Sequence, residues 1–89
     1  MKYVVEFLGT AFSVGALALT GNPMLFVAAL AAAIAIGGKI SGGHYNPVIS
    51  LWSWLSSKLS TTDFSMYVLS QLGAGVFIWV ILTLTGQQS

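Results

Sequence analysis

The sequence predicts an all-α membrane protein with three transmembrane helices and one re-entrant half-helix. Three observations lead to that class. First, 56% of the 89 residues are hydrophobic and only 6% are charged, against roughly 25% charged in a soluble domain. Such a chain has too little polar surface to face water, and a lipid bilayer is its expected solvent. Second, Gly, Pro and Asn breakers cut the apolar sequence into pieces of which several approach membrane length. Third, a polar, turn-prone stretch, Ser41–Ser50, lies between two of these pieces and opens a segment too short to span. The helices are too uniformly apolar for periodicity to order their faces, so the assignment rests on length and breakers.

The first segment is 3–19, apolar except for Glu6, Thr10 and Ser13. A helix of that length rises roughly 25 Å, just under a bilayer core. Gly9 and Ser13, and Ala11 and Gly15, are four apart, so each pair offers a small-residue face for close helix packing. Lys2 followed by an apolar run resembles the start of a signal peptide, but Glu6 interrupts the run and no cleavage site follows, so a retained helix is expected. Composition is also compatible with the 89 residues being part of a longer gene product. Thr20-Gly21-Asn22-Pro23 then reads as a tight turn, with Gly closing one helix, Asn capping the next and Pro at its first position. So short a connection gives an antiparallel hairpin.

The second segment, 24–38, is rich in Ala and short for a spanning helix, which suits burial between helices. Gly37-Gly38 is expected to end it, with Lys39 at the boundary. In the polar stretch that follows, Gly42-Gly43 permits backbone angles other residues resist, and Asn46-Pro47 signals a helix start. The half-helix is 46–57. Trp52 and Trp54 suit the headgroup level, and Ser56-Ser57-Lys58 a water interface. Two readings fit these residues: a re-entrant half-helix whose loop lines a cavity or is buried in protein, or an amphipathic helix lying on the membrane. Ser60–Asp63 is a polar linker with possible caps. The last segment, 64–84, is long enough to span and carries Gln71 at membrane depth, with Gly73 and Gly75 marking close packing. Gly86-Gln87-Gln88-Ser89 is a polar tail.

Several function classes are excluded at this level. A net charge of +1 gives no electrostatic footprint for nucleic acid. With no Cys there is no thiolate or disulfide. His44 lacks a second ligand of the right kind for a metal; a loop histidine satisfying local backbone groups is the simpler reading. Glu6, Asp63 and His44 are too scattered to form an acid–base set, so neither an enzyme nor a cofactor is expected.

Three motifs, in order, carry a family resemblance. Ile40-Ser41-Gly42-Gly43-His44-Tyr45-Asn46-Pro47-Val48 resembles the first Asn-Pro-Ala loop of the aquaporin and glycerol-facilitator family, with Val48 in place of Ala. Glu6-Phe7-Leu8-Gly9-Thr10 resembles the signature of that family's first helix. Tyr67-Val68-Leu69-Ser70-Gln71-Leu72-Gly73-Ala74-Gly75 resembles the start of its third. The resemblance covers nearly all of this chain but only the first half of a family member, which holds two inverted repeats whose loops meet at mid-membrane.

The resemblance implies a fold, half of an aquaporin-like one, and a passive channel for water or small neutral solutes such as glycerol. Asn46 would donate its amide to the permeant at a half-helix N-terminus, where the dipole repels cations. The carbonyls around Gly42, Gly43 and His44 would accept from it. Pro47 and Val48 would pack the two loops together. Glu6 would hold the loop by hydrogen bonds, with help from Gln71, although by position Glu6 also reads as an interfacial residue that snorkels. Phe26 falls at the aromatic filter position. Ile49 follows the motif, and the chain has no Arg to complete the family's filter.

One copy encloses no pore. The implied partner is a second copy inserted in the opposite direction or a complementary half repeat, in the bilayer. Lys2, Lys39 and Lys58 fall on one side of this plan, and the positive-inside rule puts that side, with the N-terminus, in the cytoplasm of a plasma or inner membrane. The alternatives are a non-conducting membrane subunit and a fragment of a longer aquaporin-like channel.

Overall fold

The computed structural model describes residues 1–87; Gln88 and Ser89 of the polar tail lie outside the described residues. The order is α1 (Lys2–Thr20), α2 (Pro23–Ser41), α3 (Pro47–Leu55) and α4 (Thr61–Leu84). Helices α1, α2 and α4 are each long and apolar enough to cross a membrane. The nine residues of α3 rise only about 14 Å, half a bilayer core. The protein is an all-α membrane protein of three long helices and one half-helix.

The turn between α1 and α2 follows from its sequence. Gly21 is left-handed, with φ 65°, and donates its N–H to the Leu17 carbonyl at 2.7 Å. The Asn22 side chain accepts the N–H of Met24 at 2.9 Å, and Pro23 takes the first helical position. The two helices therefore run antiparallel.

Three boundaries differ from the sequence expectation. Helix α2 does not stop at Gly38; it continues to Ser41 and reaches 19 residues, which makes it a spanning helix. Glycine inside a helix costs only about 1 kcal/mol, and packing requires one at position 37, where a Cβ would overlap the Tyr45 hydroxyl and Val5. The helix ends instead at Gly42, left-handed at φ 90°, whose N–H reaches the Gly38 carbonyl. Helix α4 begins at Thr61 rather than 64, because Ser60 Oγ accepts the N–H of Asp63 and recruits the former linker as a first turn. Helix α3 spans Pro47–Leu55 rather than 46–57, since Ser57 turns left-handed at φ 60° and Lys58 N–H closes back on the Ser53 carbonyl.

Helix α1 is central. It packs on α2 along one side and α4 along the other, α3 packs on α4, and α2 meets α4 through the Tyr67 hydroxyl on the Ser41 carbonyl rather than through close backbone packing. The contacts are made by small residues: Ala11, Ala29, Ala33 and Ala74 are buried. A Cβ on Gly73 would touch Phe7 at 3.8 Å, and one on Gly15 would touch Ile78 at 3.5 Å. Gly75, expected to mark close packing, would meet nothing within 4 Å. Large apolar side chains such as Leu8, Phe12, Ile36 and Trp79 point outward, as lipid-facing residues do.

The long axis measures 41 Å, comparable to a bilayer of about 40–45 Å with its headgroups. At one end Lys2 Nζ and Tyr3 Oη both bond Asp63, each at 2.6 Å, tying the start of α1 to the start of α4. At the same end Trp54 stacks on Phe64, with centroids 4.7 Å apart, and Lys58 lies over Trp52 at 4.5 Å.

Candidate functional site

The site is the loop from Gly42 to Asn46 with the buried polar cluster beneath it. The chain reverses sharply here, with positive φ at Gly42 (90°), Gly43 (65°) and Tyr45 (52°). That geometry turns successive N–H groups inward, where Glu6 receives them. His44 N–H donates to Glu6 Oε2 at 3.0 Å, and Tyr45 N–H donates to Oε1 at 2.7 Å. Two side chains complete the set. Ser41 Oγ donates to Oε2 at 2.7 Å, and Gln71 Nε2 donates to Oε1 at 3.0 Å. Glu6 is fully buried. A carboxylate at membrane depth is costly unless its lone pairs are filled, and here each oxygen accepts two donors.

A second layer continues from this carboxylate. Gln71 Nε2 also donates to Ser50 Oγ on α3 at 2.9 Å, and Ser50 Oγ lies 2.9 Å from His44 Nδ1. Tyr67 of α4 donates its hydroxyl to the Ser41 carbonyl at 2.6 Å, satisfying a helix-end acceptor of α2. Tyr45 donates its hydroxyl to the Ala33 carbonyl at 2.7 Å. Ser41, Tyr45, Ser50 and Tyr67 were not singled out from sequence. The signal that finds them is simple: each is polar within an apolar segment or loop, and a polar group in lipid must have a partner.

Above this cluster, Asn46 caps α3. Its Oδ1 accepts the N–H of Val48 at 2.8 Å, and Pro47 takes the first helical position. Among the described residues the Asn46 amide nitrogen has no partner, so it is free to donate. None of them donates to the carbonyls of Gly42, Gly43 or His44 either. The α3 N-terminus adds partial positive charge at this point.

Asn46 opens on a groove of about 310 Å³ that it shares with Gly43, His44, Tyr45, Phe26 and Ile49, alongside Leu30 and Ile34 of α2. Of the residues singled out from sequence, Phe26, Gly43, His44, Asn46 and Ile49 thus meet at one surface. Glu6 and Gln71 lie behind it. Gly42, Pro47 and Val48 do not line it; Val48 is 67% exposed. The groove combines an apolar wall from α2 with unpaired donors and acceptors from the loop, an arrangement that can pass hydrogen bonds along a file of small polar molecules. Among the described residues no three His, Cys, Asp or Glu side chains converge as a metal cluster would.

The sequence is similar to several known proteins. Over 61 residues the chain is 38% identical to the aquaglyceroporin AqpS of Rhizobium meliloti, covering 68% of this chain and 26% of that protein. It is 41% identical over 51 residues to the glycerol uptake facilitator protein of Buchnera aphidicola, covering 57% of this chain and 19% of the relative. It is 31% identical over 45 residues to aquaporin Z of Photorhabdus laumondii, covering 51% and 20%. The matched stretch thus spans about a quarter or less of each relative. No solved structure matches significantly. The family model described as Major intrinsic protein matches residues 2–89, essentially the whole sequence, and the chain belongs to the major intrinsic protein family.

Proposed function

We propose that this chain is one repeat of a passive transmembrane channel for water or small neutral solutes such as glycerol, its pore completed by a second, inverted repeat. The observation that carries the reading is the unpaired Asn46 amide at the α3 N-terminus, facing the Phe26 wall across a groove edged by free loop carbonyls. An amide donor beside carbonyl acceptors offers a hydroxyl-bearing permeant both halves of its hydrogen bonding, while the helix end disfavours cations. Pro47 and exposed Val48 would then meet the opposing loop. Phe26 and Ile49, with no Arg in the chain, would make a filter less polar than that of the family.

The groove is walled by α2, the loop and α3 and is open on its other side, which a second, inverted repeat would close. That repeat is an antiparallel copy, a separate complementary chain or a covalently linked second half. Lys2, Lys39 and Lys58 share one end of the molecule, which supports a plasma or inner membrane protein with that end and the N-terminus in the cytoplasm. Vesicles holding the protein with its completing repeat are expected to shrink faster under osmotic shock than empty vesicles, and Asn46→Leu to abolish the difference. Equal rates at verified insertion would refute the channel. The open side also favours a second reading, a non-conducting subunit; crosslinks only to a larger partner, with no osmotic acceleration, would support it.

A further inference from the structure

The neighbour of Asn46 holds an unusual position. Tyr45 has φ 52°, a left-handed backbone that a bulky residue keeps only where its surroundings enforce it. Three contacts do so. Its N–H donates to Glu6 on α1, and its hydroxyl donates to the Ala33 carbonyl on α2, each at 2.7 Å. The residue is only 6% exposed, and its ring fills a slot between Gly9 of α1 and Gly37 of α2, where a Cβ on either glycine would overlap it. The Ala33 carbonyl lies mid-helix and serves the helix ladder, so the tyrosine takes its second lone pair. That bond fixes how far the ring enters the slot, and the ring fixes the backbone from which the Asn46 amide projects.

The same ring borders two cavities. One is the groove that contains Asn46. The other, about 240 Å³, opens between α1 and α2 and is walled by Leu8, Phe12, Ile36 and Ile40, all exposed on the apolar outer face. Tyr45 is the one lining residue common to both.

The geometry points to Tyr45 as a positioning residue for Asn46 and as the partition between the polar groove and a cavity open to lipid. Its transport consequence rests on the channel reading; the partition itself does not. A smaller side chain joins the two spaces and lets the loop shift toward α2.

The chain has no Cys, so Ile49→Cys places a single reporter thiol on the groove. In vesicles holding the protein with its completing repeat, a water-soluble maleimide is expected to label it, and a bilayer-dissolved alkyl maleimide to label it at least fivefold more slowly. Adding Tyr45→Leu raises the second rate at least fivefold; adding Tyr45→Phe, which keeps the ring, leaves it within twofold. In the same vesicles without the reporter, Tyr45→Phe shifts the glycerol-to-water permeability ratio at least threefold at unchanged insertion. Should Tyr45→Leu fail to insert, Gly37→Ala displaces the ring from the other side and is expected to give the same labelling rise. Labelling by the bilayer reagent that is as fast with Tyr45 intact as without it overturns the partition. A permeability ratio unmoved by Tyr45→Phe overturns the positioning role. Vesicles that conduct nothing while the labelling pattern holds overturn the channel reading and leave the partition standing.

Discussion

Glu6 and Gln71, 65 residues apart in sequence, meet at 3.0 Å where both are buried, and Gln71 donates to the same carboxylate oxygen that accepts the Tyr45 N–H. This contact links α1 to α4 beside the loop. It also makes the shape of the loop depend on a side chain outside the groove.

Replacing that carboxylate by its amide is the sharpest test of the link. Glu6→Gln keeps the volume but turns one oxygen into a donor facing donors, stranding two of the four groups now satisfied. Each stranded buried donor costs about 1–3 kcal/mol. The expected outcome is a lower melting temperature in detergent and faster hydrogen exchange at the His44 and Tyr45 amides, with exchange in the middle of α4 little changed.

The glycines separate into two kinds. Gly9→Ala puts a methyl into the Tyr45 ring, an overpacking of about 1–3 kcal/mol. Gly75→Ala points a methyl into open space and replaces a poor helix former in mid-helix, so it is expected to be neutral or to stabilise by up to about 1 kcal/mol. Thermal unfolding of the two variants side by side reads the difference in sign.

Asn46 holds two roles that one substitution can separate. Asn46→Asp retains the oxygen that caps α3 but replaces the amide donor with an acceptor. Helix content and melting temperature are expected to stay close to those of the parent, while osmotic permeability falls at least tenfold. Asn46→Ala removes the cap as well, adding a stability loss of about 1 kcal/mol.

Orientation follows from charge. Replacing Lys2, Lys39 and Lys58 together by Gln removes every Lys from the chain, and a population inserted in both directions is expected. Labelling of a single Cys at Gly21, in the turn at the opposite end, by an impermeant reagent from each side of the membrane measures the split. A population that stays in one orientation would show that other features direct insertion.

Much of this architecture was legible in the chain. Asn22-Pro23 and Asn46-Pro47 read as helix starts because an amide cap and a proline without an N–H solve a local problem that needs no tertiary information. The fold class followed from length and charge. The end of α2 was not legible: Gly37-Gly38 has the form of a stop, yet Gly37 is there to admit the Tyr45 hydroxyl, a contact made by a residue eight positions later. The pairing of Asp63 with Lys2 and Tyr3 was equally hidden, since a carboxylate near a linker looks like a cap until the far end of the chain is brought beside it. Placing Ser50 and Tyr67 in the polar cluster requires knowing which helices touch, and helices this uniformly apolar do not declare their faces.

The central place of α1 has a consequence for biogenesis. Once α1 and α2 have entered the bilayer as a hairpin, Glu6 can receive donors from Ser41, His44 and Tyr45, but the Gln71 donor and the Tyr67 hydroxyl are carried on α4, which is synthesised after them. Until α4 arrives, the carboxylate and the end of α2 are short of partners in a medium that supplies none. The reversal that projects Asn46 therefore locks only when α4 docks, and a nascent chain interrupted before α4 would present quality-control machinery with a carboxylate short of a donor.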